Sequence, residues 1–429
     1  MKLLKAILSI VIIDFFFFST TFSFSGSTNT KMVLAVVGLV YLVFDLIKRH
    51  AFSIPKEFII LTFFSLGVSL FAYISSTINN TQEYAYITYF ISMWVWLSGA
   101  YGTLRLLLTI NGRLDLYMIA KFIVWICVIQ GLLAILQDIF LPLKNFINLL
   151  VPATWVEQQG RLYGLGNTAC LDTGGIRFGI GSVFCAYITT HLSKKGQDNL
   201  IPLYILAFII ITITGNMVAR TTLVGSIAGL IYMLIGASSI SKNLPVAQLR
   251  IWGWFILLVT VSVVGVSFLY NTNQVIHDNL EFGFEGFFNL VEDGYWHTAS
   301  NDVLTSMYVF PDNPKTWIIG DGYFVGQSSD PNYLGNYFDG YYMGTDVGYL
   351  RFIFFFGITG LAFFCALIFY AGGLCLKHFS KDKLLILILV AINFAVWFKV
   401  ATDCFFIFAI MLSIAYIETD IIPELSGSE

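Results

Sequence analysis

Apolar stretches of ~20 residues follow one another along the whole chain, and that is the length needed to cross a ~30 Å hydrocarbon layer as helix. Twelve of them run near residues 5–24, 32–47, 57–78, 84–108, 116–140, 172–191, 200–215, 219–237, 251–270, 347–376, 384–398 and 401–417. The expected fold is an all-α polytopic membrane protein of about 12 transmembrane helices. Composition agrees, since 11% of the residues are charged against ~25% in soluble domains. Lys2 and Lys5 precede the first stretch as in a signal peptide, but no small-residue cleavage site follows, so an uncleaved first span is expected.

The basic residues set the expected orientation. Alternate connections hold Lys2, Lys5, Lys48, Arg49, Lys56, Arg105, Arg113, Lys194, Lys195, Lys242, Arg250, Lys377, Lys381 and Lys383. The opposite connections hold only Lys31, Lys144, Arg161, Arg220, Lys315 and Lys399. Both termini are therefore expected on the cytoplasmic side. The net charge of −3 gives no support to a nucleic-acid partner. All six cysteines, including Cys170, lie in or beside apolar stretches, which makes a disulfide framework or zinc site an unsupported reading.

Every connection is short except residues 271–345, on the outer side; a smaller outer segment spans 141–171. The long one carries ten acidic residues against one Lys, and sixteen aromatics that include Trp296, Trp317, Tyr323, Tyr333, Tyr337, Tyr341 and Tyr342. Acceptors beside flat apolar faces suit sugar rings; the same aromatics would equally form the loop's own core or an interfacial belt. The expected organisation is nine spans over 1–270, the loop 271–345, three spans over 346–417 and a tail 418–429. No transporter-type repeat divides the chain, and GxxxxGK[ST], HExxH, GxSxG and paired CxxC motifs are all absent.

Ionisable groups at membrane depth are functional candidates by default. Arg177 lies in LDTGGIRFGIG, Arg220 in GNMVARTTLVG, Arg351 in TDVGYLRFIFFFG, and Lys399 in WFKVATDC, four residues before Asp403. The apolar stretches flanking Arg220 are only ~15 residues, or ~22 Å of helix, so this turn should lie below the outer surface. The same arithmetic applies to Lys399. Each side chain alone would snorkel to the headgroups; together they point to a shared anionic ligand. Guanidinium forks match phosphate oxygens, which suits an amphiphile with its tail in lipid, its phosphate on the arginines and its sugars in the loop.

The segments GRLYGLGNTACLDTGGIRFGIG, TGNMVARTTLVG, WIIGDGYFVG and GTDVGYLRFIFFFGITG resemble those of the Wzy-type O-antigen or capsular-repeat polymerases. These belong to the wider O-antigen ligase/polymerase family of bacterial envelopes. The resemblance implies a metal-independent, cofactor-free glycosyltransferase of the inner (cytoplasmic) membrane, with residues 271–345 as a periplasmic loop. Its substrate would be an undecaprenyl-pyrophosphate-linked oligosaccharide. A hydroxyl of a second lipid-linked repeat would attack the anomeric carbon and undecaprenyl pyrophosphate would leave; a chain-length regulator is an implied partner. By motif position Arg161, Arg177 and Arg220 would contact phosphate, and Arg351 could join them. Ligases of the family show a His-Asn pair where this chain reads GTDVGYLR, a departure that favours polymerase over ligase.

Stabilising a leaving group needs the arginines, and taking up the hydroxyl proton needs a base. Asp346 and His297 are the candidates. His297 has Asp293 and Asn301 four residues to either side, a spacing that would place all three on one helix face or simply occur in loop packing. Lys399, Asp403, Tyr163, Tyr323, Tyr349 and Trp296 are the candidate substrate-binding residues. Asp321, between two glycines, reads as a turn residue. The rival functions are a ligase that moves glycan onto lipid A core and a non-enzymatic polysaccharide flippase.

Overall fold

The computed structural model describes residues 2–48, 55–152, 161–165, 171–238, 244–325, 333, 338 and 340–421. Arg49, Cys170, Lys242, Tyr337 and the end of the tail, 422–429, lie outside the described residues. Among the described residues every regular element is helical, apart from one isolated bridge between Thr21 and Asn29.

A helix lies on each apolar stretch. These are α1 (Lys2–Phe17), α2 (Thr30–Lys48), α3 (Lys56–Asn79), α4 (Tyr89–Asn111) and α5 (Leu116–Ile139). After the short α6 (Leu141–Leu150) come α7 (Leu171–Lys194), α8 (Ile201–Val218), α9 (Thr222–Ser238) and α10 (Leu244–Thr272). The long segment is itself partly helical, with α11 (Gln274–Glu292), α12 (Ala299–Ser306) and α13 (Pro314–Ile318). The chain then forms α14 (Gly348–His378), α15 (Lys383–Val396) and α16 (Phe405–Tyr416).

By length and composition five of the described helical stretches suffice to cross a membrane: Lys56–Asn79, Leu116–Ile139, Asp198–Val218, Leu249–Thr272 and Gly348–His378. Three shorter apolar helices cover Thr222–Gly236, Lys383–Val396 and Phe405–Thr419. This fits an α-helical membrane protein. The first apolar stretch stops being helical at Phe17, well before residue 24. Its terminal carbonyls are taken by side chains: Phe17 O accepts Arg177 Nε, and Phe15 O accepts Thr30 Oγ1 at 2.6 Å.

The chain forms two compact units, each assembled from two separate stretches. One comprises Met1–Leu34 and Gly102–Trp296, the other Ala35–Tyr101 and His297–Glu429. The division falls inside the long segment, so α11 belongs to the first unit and α12 and α13 to the second.

In the first unit α7 packs against α5, α8 and α9. Its contact with α9 is a backbone-to-backbone approach at Gly179 and Gly225. A Cβ on Gly225 would lie 2.3 Å from the Gly179 Cα. The glycine-rich LDTGGIRFGIG is thus a packing surface, as small residues are between helices in lipid, where burial gives no hydrophobic gain. Thr222 Oγ1 donates to Gly175 O at 3.0 Å and fixes the register. Asp14, half-buried in α1, accepts from Gln130 Nε2 of α5 at 2.8 Å, which gives that lone acid a helix-pairing role. By contrast α10 is almost wholly exposed along its apolar length.

In the second unit α14 packs on α3 and is interrupted at Gly357, where φ is 69° and ψ −179°. The helix α13 fills the interruption. A Cβ on Gly357 would stand 2.2 Å from Ile318 O, and Thr359 Oγ1 donates to that same carbonyl at 2.7 Å.

Gly225→Ala is expected to lower thermal stability in detergent by about 1–3 kcal/mol, the usual cost of overpacking. Gly253→Ala on the exposed α10, where an added Cβ meets nothing within 4 Å, is the matched control and should melt like the parent.

Candidate functional site

In the first unit the charged residues gather around α11. Asn273 caps this helix by accepting from Ile276 N at 3.1 Å. Apolar side chains recur along it at helical spacing (Ile276, Leu280, Phe284, Phe287, Phe288 and Val291), so one face is apolar although the helix is kinked at Phe284, where φ is −122° and ψ 20°. That face closes a cavity of about 710 Å³ whose other walls are α8, α9 and α10, with Phe208, Ile213, Leu230 and Val263 among the lining residues. Trp296 packs edge-on against Phe287, ring centroids 4.8 Å apart.

Phe282, also on α11, carries two guanidinium groups. Arg161 lies 4.3 Å from its ring centroid and Arg220 4.6 Å, both within cation–π range. Arg220 holds the helix by backbone and side chain at once, because its Nε donates to Phe282 O at 3.0 Å and its fork pairs with Glu285. The segment 161–165 is fastened by Leu162 N, which donates to Met217 O at 3.0 Å, and by the buried Leu162 side chain. Burial pushes the Arg161 pKa down; the Asp172 and Tyr163 charges oppose this, and Arg220 adds to it. Two cations are therefore brought within reach of each other in a half-buried place, where Glu285 pairs with Arg220 and Asp172 acts on Arg161, and a phosphate group would add acceptors for both forks.

Arg177 departs from its expected place beside them. It is 2% exposed and lies within the helix packing, donating to Phe17 O and, at 2.9 Å, to Thr173 O. Its role is to tie the end of α1 to α7. Arg161 and Arg220 are the pair the fold assembles.

In the second unit Arg351 is the centre. It is 7% exposed and lies 4.0 Å from the Phe324 ring centroid and 3.6 Å from that of Tyr341. One terminal nitrogen meets Asp346 Oδ1 at 3.2 Å and the other donates to Phe324 O at 3.1 Å. Its Nε is buried without a hydrogen-bond partner. The charges of Arg351 and Asp403 both reach the half-buried Tyr86. Asp403 accepts from Tyr89 Oη at 3.4 Å and from Phe405 N at 3.0 Å.

The turn Gly320–Asp321–Gly322 brings Phe324 to Arg351. Both glycines have positive φ, 87° and 75°. The turn docks on the interrupted helix, with Asp321 N donating to Phe354 O at 2.6 Å and Gly322 N to Phe355 O at 3.2 Å. The Asp321 carboxylate accepts from Thr316 Oγ1 at 2.7 Å, Tyr342 Oη at 3.2 Å and Lys315 Nζ at 3.3 Å. Burial, and then that carboxylate, push the Tyr342 hydroxyl well above the usual phenol range, so it stays a donor. Glu83, which the sequence gave no reason to select, accepts from Phe324 N and Val325 N at 2.7 Å each.

The other sequence candidates fall into packing or connecting positions. Tyr349 donates through its hydroxyl to Phe394 O at 3.0 Å and packs edge-on against Trp397. Tyr323 stacks on Tyr342 with centroids 5.0 Å apart and meets Tyr333 edge-on. Lys399 and Asp403 do not lie on one helical turn, because α15 ends at Val396 and α16 starts at Phe405. The bond from the Trp397 indole to Thr402 O and that from Cys404 N to Asn393 Oδ1 hold this connection out of helix. Asp293, His297 and Asn301 likewise share no helix, since α11 ends at Glu292 and α12 starts at Ala299. His297 Nδ1 stands 3.9 Å from Asp302 Oδ2.

The chain matches no family model, no characterised protein and no solved structure.

Asp321→Ala removes the acceptor of three donors, and unsatisfied buried partners cost about 1–3 kcal/mol. The expected result is a lower melting temperature in detergent and faster protease cleavage between residues 308 and 346, with Asp321→Glu an incomplete substitute.

Proposed function

We propose that this chain polymerises lipid-linked oligosaccharide repeat units at the outer face of a bacterial inner membrane. The observation that carries the reading is the double use of α11. Its apolar residues close the cavity beside the exposed α10, and Phe282 and Glu285 of the same helix hold the Arg161–Arg220 pair. A polyprenyl chain in the cavity with its pyrophosphate on the two guanidiniums satisfies both at once. In this reading twelve helices span the bilayer, both termini are cytoplasmic and 271–345 is periplasmic.

The chemistry follows from those parts. Undecaprenyl pyrophosphate gains negative charge as the anomeric bond breaks, and preorganised cations at the developing charge lower that barrier. The attacking hydroxyl of the second repeat loses its proton to a carboxylate. Tyr163, two residues from Arg161, supplies a ring face and a hydroxyl for a sugar. The reading needs no metal or cofactor.

The test is genetic. In the bacterium that carries the gene, deletion should leave a single repeat unit on the surface lipid, seen as one band on a gel. Restoring the parent gene should bring back the ladder of long chains. An Arg161→Ala/Arg220→Ala gene, expressed at parental level, should leave the single band. A full ladder from that variant would overturn the phosphate assignment. Accumulation of lipid-linked polymer on deletion would indicate a ligase, and repeats stranded in the cytoplasmic leaflet a flippase; either would overturn the polymerase reading.

A further inference from the structure

A second cationic cluster lies at the other end of α7, which the pairing of α11 with Arg161 and Arg220 does not use. From Asp172 to His191 the helix rises about 28 Å. Here α5 begins and α7 ends. Asp115 caps α5 by accepting from Met118 N at 2.7 Å. One turn on, the Tyr117 ring is a platform. The His191 ring stacks on it with centroids 4.4 Å apart and planes 30° apart. Lys121 Nζ lies 4.2 Å and Lys195 Nζ 5.4 Å from the same ring centroid.

The electrostatics are one-sided. Lys121 is acted on by Arg113 and Lys195, and His191 by Lys121, Lys194 and Lys195; Asp115 is the acid acting on both. Basic residues in the last turn of a helix answer its dipole, which accounts for Lys194 and Lys195 one at a time. It does not account for two ammonium groups over one ring. Nor does it account for two buried polar atoms without hydrogen-bond partners, Tyr117 Oη and His191 Nε2. Each such atom is costly; the Tyr117 hydroxyl is a donor, and so is His191 Nε2 in the tautomer that carries its proton there, and a phosphate oxygen would satisfy both.

We propose that this cluster is a binding site for the phosphate of an anionic phospholipid, with Lys121 and Lys195 as its ammonium clamp and Tyr117 and His191 as its neutral donors. Basic pockets between membrane helices are recognised headgroup sites. A lipid, rather than a soluble anion, is favoured by the flanking surface. Ile129 and Leu132 of α5 and Leu203 and Leu206 of α8 are exposed large apolar residues on neighbouring helices, available to acyl chains. The site is independent of the polymerase reading and would stand if that reading failed.

The experiment is native mass spectrometry of the full-length protein in detergent, titrated with phosphatidylglycerol or phosphatidylcholine. The parent should retain phosphatidylglycerol preferentially, and Lys121→Gln/Lys195→Gln should weaken that retention roughly ten- to thirty-fold. Lys194→Gln/Lys195→Gln, at two exposed positions that folding does not depend on, should weaken it several-fold. The exposed pair Lys381→Gln/Lys383→Gln, in the other unit, should bind as the parent does. Displacement of phosphatidylglycerol by millimolar inorganic phosphate would show that the phosphate group alone is recognised; retention against it would show that headgroup and chains are bound together. Equal retention of the two lipids by the parent, or undiminished retention of phosphatidylglycerol by both lysine variants, would overturn the proposal.

Discussion

The grip of Arg220 on α11 is the interaction on which the candidate site rests. A guanidinium at the end of two apolar helices must find acceptors, because a charge left uncompensated there costs several kcal/mol. Arg220 finds them on one helix, in the Phe282 carbonyl and the Glu285 carboxylate. Satisfying that charge clamps α11 on either side of its kink at Phe284. With Phe282 and Glu285 held by Arg220, the apolar positions Leu280, Phe284 and Phe287 fall on the cavity. One ion pair thus sets both the cationic side of the helix and its apolar side. It also brings Arg161 onto the same ring and places the second cation.

The second unit is organised by a different device. Interrupting α14 at Gly357 leaves the carbonyls of Phe354 and Phe355 to be bonded from outside the helix, and the Gly-Asp-Gly turn supplies the two donors. Glu83 fastens the following residues, and Phe324 is left stacked on Arg351. The part of the long segment in this unit is therefore anchored by backbone bonds to α14, and by Leu304, Met307 and Val309 packed on Val347, Leu350 and Phe354. Asp346 and Arg351 sit where the anchored turn meets the start of α14, so their geometry is as fixed as the turn.

Much of this was legible in the sequence where one-dimensional signals suffice. Apolar length located the helices, since lipid leaves the backbone little alternative. Arg220 was singled out by the short apolar stretches on either side, and the structure puts it between α8 and α9, paired with Glu285. The amphipathic α11 was hidden because glycines and acids interrupt EFGFEGFFNLVE, although its apolar residues keep the helical spacing. Arg177 and Arg220 occupy similar-looking motifs, and no sequence signal separates a guanidinium aimed only at carbonyls from one aimed at a carbonyl and a carboxylate of another helix. The four-residue spacings Lys399–Asp403 and His297–Asn301 suggested shared helical turns. Side-chain bonds to local carbonyls and amides ended the helices first. Glu83 was illegible for another reason: its amide partners lie 241 and 242 residues away.

The most direct test of the central claim is photo-crosslinking with a diazirine-bearing polyprenyl pyrophosphate on the purified full-length protein, with the modified residues mapped by mass spectrometry. The account expects label on cavity-lining residues of α9, α10 and α11, such as Leu230, Val263 and Phe287. It expects that label to be lost on competition with unlabelled lipid and in Arg161→Ala/Arg220→Ala. Label confined to other helices, or cavity label that survives in that variant, would contradict it.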